Sequence, residues 1–134
     1  MTERASPHQF RRDMASGIPA YRQIIDQILG GIASGALAPG DQLPTVRQLA
    51  VDLAINPNTV VRAYRELEIR GVLSTQQGIG TFITRQTVNP DEAERQRQLN
   101  QLVAEFMARA GASGFAAADL MERIREFIEP GRQS

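Results

Sequence analysis

Residues 45–71, TVRQLAVDLAINPNTVVRAYRELEIRG, contain the pattern from which the fold class follows. Thr45 followed by Gln48 is the capping-box pattern that begins a helix, and Asn56-Pro57 begins another helix after a break of two or three residues. The stretch therefore predicts two helices joined by a tight turn, which is the helix-turn-helix motif. Apolar residues recur at helical spacing in both segments: Val46, Leu49, Ala50 and Leu53 in the first, and Val60, Tyr64 and Leu67 in the second.

Upstream of this pair, residues 18–35 are predicted to form a longer amphipathic helix. Pro19 suits its first turn, and Gly35 suits its C-terminal cap. Residues 36–44 contain Pro39-Gly40 and are predicted to be a turn. The apolar stripe of the helix consists of Tyr21, Ile24, Ile25, Ile28, Leu29 and Ile32.

Downstream of Gly71 the period of the apolar residues changes. Residues 72–76 and 81–84 have the composition of two short strands, and the loop between them contains Gly78 and Gly80. This pattern predicts a β-hairpin directly after the helix pair. The fold class is therefore mainly α with a small β-hairpin, arranged as a winged helix-turn-helix.

The last third of the chain is predicted to form two further helices, one from Asn89-Pro90 to Ala110, ended by Gly111, and one over 116–129. Two helices with one apolar face each make a poor core, so we expect these faces to pack in a homodimer. The alternative is that they pack back on the helix at 18–35. The residues expected at the dimer interface are Leu99, Leu102, Val103, Phe106, Leu120, Ile124 and Phe127.

These elements divide the chain into three parts. Residues 1–17 are polar and without period, which predicts a flexible N-terminal arm. Residues 18–85 form the winged helix-turn-helix domain. Residues 86–134 form a helical region for dimerisation or for binding an effector.

Composition excludes several functional classes. The chain has 134 residues, no Cys and a single His, His8, which excludes disulfides, Cys-based zinc sites and most His-based catalysis. We expect no metal and no cofactor. No apolar run of 18 or more residues and no secretory signal occurs, so we expect a cytoplasmic protein with no membrane span.

The overall charge does not by itself indicate a nucleic-acid partner. The 15 basic residues are all Arg and are balanced by 15 acidic residues. Residues 1–85 hold nine Arg against seven acidic residues, whereas residues 86–134 hold six against eight. A basic patch must therefore be local.

Such a patch is predicted on the second helix of the pair, opposite its apolar stripe. Asn58, Arg62 and Arg65 are spaced to lie on one face, with Thr59 and Val61 flanking them. Asn can pair with adenine, Arg can bind guanine or phosphate, and small or apolar side chains can contact a thymine methyl group. The alternative is a solvated face with Arg62–Glu66 and Arg65–Glu68 ion pairs.

The segment over about residues 18–85 resembles the DNA-binding domain of GntR-family bacterial transcription regulators. Asn58 stands near the position where many members carry an Arg, and the Asn-Pro-Asn-Thr-Val sequence with a short helical C-terminal region is similar to the YtrA subfamily. The missing Arg implies a DNA target different from that of Arg-bearing relatives. The matching segments are GDQLPTVRQLA (40–50), NTV (58–60), YREL (64–67), GVL (71–73) and GIGTFI (78–83).

The resemblance implies roles for individual residues. Arg47 is expected at phosphate or a base edge, with pairing to Asp52 or simple solvation as the alternative. Asn58 and Thr59 are expected in the major groove, and Arg62 on phosphate or guanine. The loop residues Gln77, Gly78 and Gly80 are expected at a wing tip against the minor groove. The two glycines can also be explained by the turn alone, which needs a positive φ within the loop, and the two explanations are compatible.

The resemblance also implies a dimeric repressor that binds an inverted-repeat operator near its own gene, with a transporter operon as one candidate target. A small-molecule effector is left unidentified. The alternative function is a winged-helix module that binds protein, for which an apolar, acid-rich second helix of the pair would be the sign. An enzyme is the weakest interpretation, because no nucleophile–base set or phosphate loop stands out.

Overall fold

The computed structural model describes residues 9–85 and 91–128. The described residues divide into two units, 9–85 and 91–128. Among the residues described, no helix is both long and apolar enough to cross a bilayer. The elements are α1 (Ala20–Ser34), α2 (Val46–Leu53), α3 (Pro57–Ile69), β1 (Leu73–Gln76), β2 (Gly80–Ile83), α4 (Glu92–Ala112) and α5 (Ala117–Phe127).

The first unit is built on an apolar core between α1, α2 and α3. The α1 side chains Ile24, Ile25 and Ile28 are at most 1% exposed, and Val60 and Leu67 of α3 are fully buried. Each such side chain contributes about 1.5–3 kcal/mol through removal of apolar surface from water. The apolar stripes predicted for these helices therefore do form the core, which also includes Leu37, Leu43, Leu49, Ala50, Leu53, Ala63, Tyr64, Val72, Leu73 and Ile83.

The helix-turn-helix is defined by side-chain caps at both helix starts. The Thr45 hydroxyl accepts a hydrogen bond from the Gln48 amide N–H at 3.1 Å, and the Asn56 side chain accepts one from the Asn58 amide N–H at 2.8 Å. Only half of the capping box forms, because the Gln48 side chain bonds to Asp52 at 2.8 Å instead of returning to Thr45. These local caps fix where α2 and α3 begin.

The end of α3 leads directly into the hairpin. Gly71 has a φ of +79°, the left-handed conformation that glycine adopts without steric cost. Its N–H donates to the Glu68 carbonyl, and the Val72 N–H donates to the Leu67 carbonyl at 2.9 Å. This is a Schellman ending, and it places the apolar Val72 against the core.

The hairpin has a third backbone partner that the sequence did not reveal. β1 and β2 pair antiparallel, with Leu73 opposite Ile83. Residues 40–43 extend this sheet, because Leu43 N–H donates to the Thr81 carbonyl at 2.8 Å and Ile83 N–H donates to the Asp41 carbonyl at 2.9 Å. The turn predicted over 36–44 is confirmed at Pro39-Gly40, where the Asp41 N–H donates to the Ala38 carbonyl at 3.0 Å, but it is wrong for 41–43, because β2, more than 35 residues away, supplies their backbone partners.

Tyr64 ties α3 to the segment before α2. Its side chain is 3% exposed, and its hydroxyl donates a hydrogen bond to the Pro44 carbonyl at 2.7 Å. Burial raises the pKa of the Tyr64 hydroxyl above its ordinary value. The buried hydroxyl thus remains a hydrogen-bond donor at alkaline pH.

Tyr64→Phe is expected to lower the free energy of unfolding by about 1–2 kcal/mol, because the Pro44 carbonyl loses its partner. The native state should also lose stability above about pH 10, since the unfolded tyrosine ionises there while native Tyr64 stays protonated. Tyr64→Phe should remove that part of the pH dependence. Urea unfolding at pH 7 and above pH 10 measures both effects.

Tyr21→Phe is the matched control for this measurement. Tyr21 is half-buried, and its hydroxyl makes no hydrogen bond within residues 9–85 and 91–128. The control should therefore unfold at nearly the wild-type urea concentration at pH 7. Equal losses for the two variants would contradict the role given to the Tyr64 hydroxyl.

The segment before α1 follows an ordered path along that helix. Gln27 accepts from the Arg11 N–H at 2.8 Å, Gln23 accepts from the Asp13 N–H at 2.8 Å, and both side-chain amides donate back to the same two residues. Phe10 packs against the core. This differs from the flexible arm predicted for 1–17; the first eight residues lie outside those described.

The second unit contains α4 and α5. Asp91 caps α4, accepting from the Glu94 N–H at 3.1 Å, whereas the predicted start at Asn89-Pro90 lies outside the described residues. Gly111 does not end α4, because the helix continues to Ala112 and the left-handed residue is Gly114, at φ +84°. α5 is shorter than the predicted 116–129.

Candidate nucleic-acid interface

One face of α3 is exposed and forms a shallow groove. Asn58, Val61, Arg62 and Arg65 line it, and we call these four residues the recognition face. Glu66 and Ile69 continue the same groove toward the C-terminal end of α3. The structure thus brings together four of the residues predicted to contact DNA, while Thr59, also predicted, is half-buried beside them.

Asn58 occupies the first turn of α3 with its side chain free. The capping group is the Asn56 side chain, to which Asn58 contributes only its backbone N–H. No hydrogen bond engages the Asn58 side-chain amide within the described part of the chain. Its donor and acceptor are therefore both available to a base edge.

The ion pairs considered as the alternative for this face do not form. Glu66 pairs with Arg70 at 2.7 Å rather than with Arg62, and Arg65 has no carboxylate partner in residues 9–85 and 91–128. The charge of Glu66 is therefore compensated by Arg70, the C-cap residue of α3. The Arg62 and Arg65 guanidinium groups remain available to an anion.

Arg62 makes a different contact, with α1. Its guanidinium carbon lies 3.6 Å from the centroid of the Tyr21 ring, which is cation–π geometry. Tyr21 belongs to the apolar stripe of α1 and packs against the core. The apolar spacing of α1 predicted Tyr21 only as a core residue, since helical spacing within α3 cannot reveal a partner on α1.

Arg47 lies in the first turn of α2 and is exposed. The alternative that it pairs with Asp52 is wrong, because Asp52 instead accepts a hydrogen bond from Gln48 at 2.8 Å. No ion pair engages Arg47 among the residues the structure describes. Its charge is thus free for a phosphate.

The wing is the loop between β1 and β2, with Gln77 exposed at its start. Gly78 and Gly80 have φ values of +78° and +149°, so the turn itself requires glycine. Gln42, which the sequence analysis missed, donates from its side chain to the Ile79 carbonyl at 3.2 Å. A Cβ on Gly80 would come within 2.4 Å of that Gln42 side chain, so Gly80 also leaves room for this contact.

The apolar side chains predicted to form a dimer interface are largely exposed in the single chain. On α4, Leu102 is 64% and Phe106 is 46% exposed, and on α5 Phe127 is 67% exposed. We call Leu99, Leu102, Val103, Phe106 and Met107 the apolar stripe of α4; each is at least 40% exposed. Ile124 is 47% exposed and Leu120 is half-buried.

Known proteins match this chain in both sequence and architecture. The family model described as "Bacterial regulatory proteins, gntR family" matches residues 20–83. The HTH-type transcriptional regulator Rv1152 of Mycobacterium tuberculosis is 40% identical over 114 residues, which cover 85% of this chain and 89% of Rv1152. The chain belongs to the GntR family. The family match covers the core of the first unit, the recognition face and the wing.

Within the GntR family, the chain is 35% identical to the HTH-type transcriptional repressor YtrA of Bacillus subtilis, over 85% of this chain and 88% of YtrA. Among solved structures, AraR(DBD) in complex with operator ORX1 is similar at a TM-score of 0.52 and 26% identity, covering 57% of this chain and 98% of that one. The predicted resemblance to YtrA-like GntR regulators is confirmed. The GntR-family chain is a DNA-binding transcription regulator and not an enzyme.

Proposed function

We propose that the chain is a homodimeric repressor that binds an inverted-repeat operator in the cytoplasm. The observation that carries this proposal is the recognition face, where an unpaired Asn58 side chain lies beside two uncompensated guanidinium groups in one groove. Amide and guanidinium groups are the side chains that pair most specifically with adenine and guanine edges. The wing is proposed to follow the adjacent minor groove, with Gln77 on phosphate.

The distribution of charge along the chain supports DNA binding through the first unit. The excess of Arg over acidic residues lies in residues 1–85, and the excess of acidic residues lies in 86–134. Residues 1–85 thus carry a small net positive charge and residues 86–134 a small net negative charge, so only the first part favours a polyanion, and this effect is weak beside the local cluster on α3. This division suits a chain that binds DNA with one unit and a partner with the other.

The apolar stripe of α4 supports a second copy of the chain as that partner. A helix of this length is about 30 Å long, and exposed apolar surface on this scale marks an interaction site. The same helix carries the pairs Glu92–Arg95 and Glu94–Arg97, and Glu105 is balanced in charge by Arg109, so α4 has no net charge by which two copies would repel each other. A two-fold dimer would place two recognition faces on half-sites about 34–36 Å apart, or a multiple of this.

The proposed function is tested by selecting duplexes from a randomised pool and comparing them with scrambled versions in gel shifts at two salt concentrations. We expect tighter binding to the selected duplex, an inverted repeat in its sequence, and a steep loss of affinity at higher salt, because phosphate contacts release counterions. Equal weak binding to both duplexes would contradict the proposal. A matching inverted repeat is expected in a promoter near the gene for this chain.

A further inference from the structure

The Arg62 guanidinium is held by a side chain from outside α3. It stacks at 3.6 Å over the ring of Tyr21, which lies in the first turn of α1. The Tyr21 ring is half-buried and packs against the apolar core, so its position is set by the fold. Arg62 itself is exposed and lines the groove.

Arg62 forms no ion pair with a carboxylate among the described residues. The carboxylate nearest in the helical pattern, Glu66, pairs with Arg70 at 2.7 Å. A guanidinium that stacks through one face keeps its N–H donors, which point outward in its plane, free to bind an acceptor. Arg62 is therefore an oriented cation with its donors available.

We propose that Tyr21 is a positioning residue that holds Arg62 for contact with a phosphate of the DNA backbone. This inference rests on the proposed function and names the chemistry of one of its contacts. Helical geometry places Arg62 at one edge of the recognition face and Val61 at the other, and the contact with Tyr21 holds the Arg62 guanidinium on the side toward α1. When a helix lies in the major groove, the groups at its margin meet the sugar–phosphate backbones that border the groove, whereas the groups at its centre meet base edges.

The proposal predicts a graded effect for Tyr21 variants. A cation–π contact at an exposed site corresponds to about a two- to fivefold change in an equilibrium constant. Tyr21→Leu should therefore lower DNA affinity about two- to fivefold, while Tyr21→Phe, which keeps the ring, should bind as the wild type does. Arg62→Ala should weaken binding to all duplexes by a similar factor and reduce the salt slope by about one.

The test is a double-mutant cycle with Tyr21→Leu, Arg62→Ala and the double variant, on the selected and scrambled duplexes. In the Arg62→Ala background, Tyr21→Leu should cause no further loss. A further loss of the same size there would overturn the positioning role, because Tyr21 would then act only through the fold. A loss for Arg62→Ala confined to the selected duplex would overturn the phosphate assignment in favour of a base contact.

A second measurement needs no variant. The Nε–H resonance of Arg62 should show an upfield ring-current shift in the free protein and keep it in the DNA complex, since the proposal has Arg62 bind while stacked. Loss of that shift on binding would overturn the proposal.

The binding measurements distinguish failure of this inference from failure of the proposed function. If the wild-type protein binds neither duplex, the proposed function is overturned together with the positioning role. If the Tyr21→Leu variant binds DNA as tightly as the wild type does, only the positioning role is overturned.

Discussion

Leu102→Glu combined with Phe106→Glu is expected to convert a dimer into a monomer and to lower operator affinity by at least about 100-fold. The two side chains lie one helical turn apart on the apolar stripe of α4, and the chain itself leaves them 64% and 46% exposed. A carboxylate that must be buried without a partner costs several kcal/mol. In the monomer the same carboxylate is solvated, so the variant should still fold.

The loss of DNA affinity follows from the geometry of two linked half-sites. A dimer that binds one half-site holds its second recognition face near the other half-site, and such linkage raises affinity by about 10²- to 10⁴-fold over one module alone. The monomeric variant would lose this gain, although its recognition face is unchanged. Sedimentation velocity measures the mass, and gel shifts measure the affinity.

The matched control is Ala104→Glu combined with Ala108→Glu. These residues have the same spacing and add the same charge, but helical geometry places them on the side of α4 opposite the stripe, and both are exposed. The control should remain dimeric with wild-type operator affinity. A stripe variant that still sediments as a dimer would show that the dimer interface lies elsewhere and that the apolar stripe of α4 does not form it.

The helices and hairpin could be predicted from the sequence because their determinants are local. The Thr45 and Asn56 caps lie within three residues of the N–H groups they bind, and the buried stripe of α3 is visible in the spacing of its own apolar side chains, although these pack against distant helices. Capping residues and apolar periodicity can therefore be recognised within a short stretch of sequence. The recognition face follows from the same argument, since a helix with one buried stripe must present its other face to solvent.

What the sequence did not reveal depends on contacts between distant segments. The pairing of residues 40–43 with β2, the bonds from Gln23 and Gln27 to the segment before α1, and the Tyr21–Arg62 stacking all join separate elements. No local period encodes them. They fix the wing, the N-terminal segment and one cation of the recognition face.

The alternative interpretation of the α3 face, as a set of ion pairs, is wrong for a local reason. The spacing of Arg62 and Glu66 would allow an ion pair, but Arg70 stands four residues after Glu66 and takes the carboxylate. A Glu placed N-terminal to a basic residue at this spacing is the more favourable orientation in a helix. Two cations thus compete for one carboxylate, and the helix direction decides which one remains free.

Asn58→Ala is expected to weaken binding to the operator by about 1–3 kcal/mol, roughly 5- to 150-fold, with little effect on scrambled DNA. Its side chain lies in the first turn of α3, where recognition helices reach base edges, and it makes no hydrogen bond in the described residues.

Arg47→Ala should instead weaken binding to both duplexes by a similar factor and flatten the salt slope by about one, as expected for a phosphate contact.

Asn56→Ala separates loss of contact from loss of the helix cap. Asn56 is two residues from Asn58, and its side chain caps α3. Its removal should therefore cost about 0.5–2 kcal/mol of stability, while any loss of DNA affinity should be similar on both duplexes. Asn58→Ala should leave the urea unfolding midpoint near that of the wild type. Equal losses for Asn58→Ala on operator and scrambled DNA would make Asn58 a phosphate contact, and the bases would then be contacted by a different part of the groove on α3.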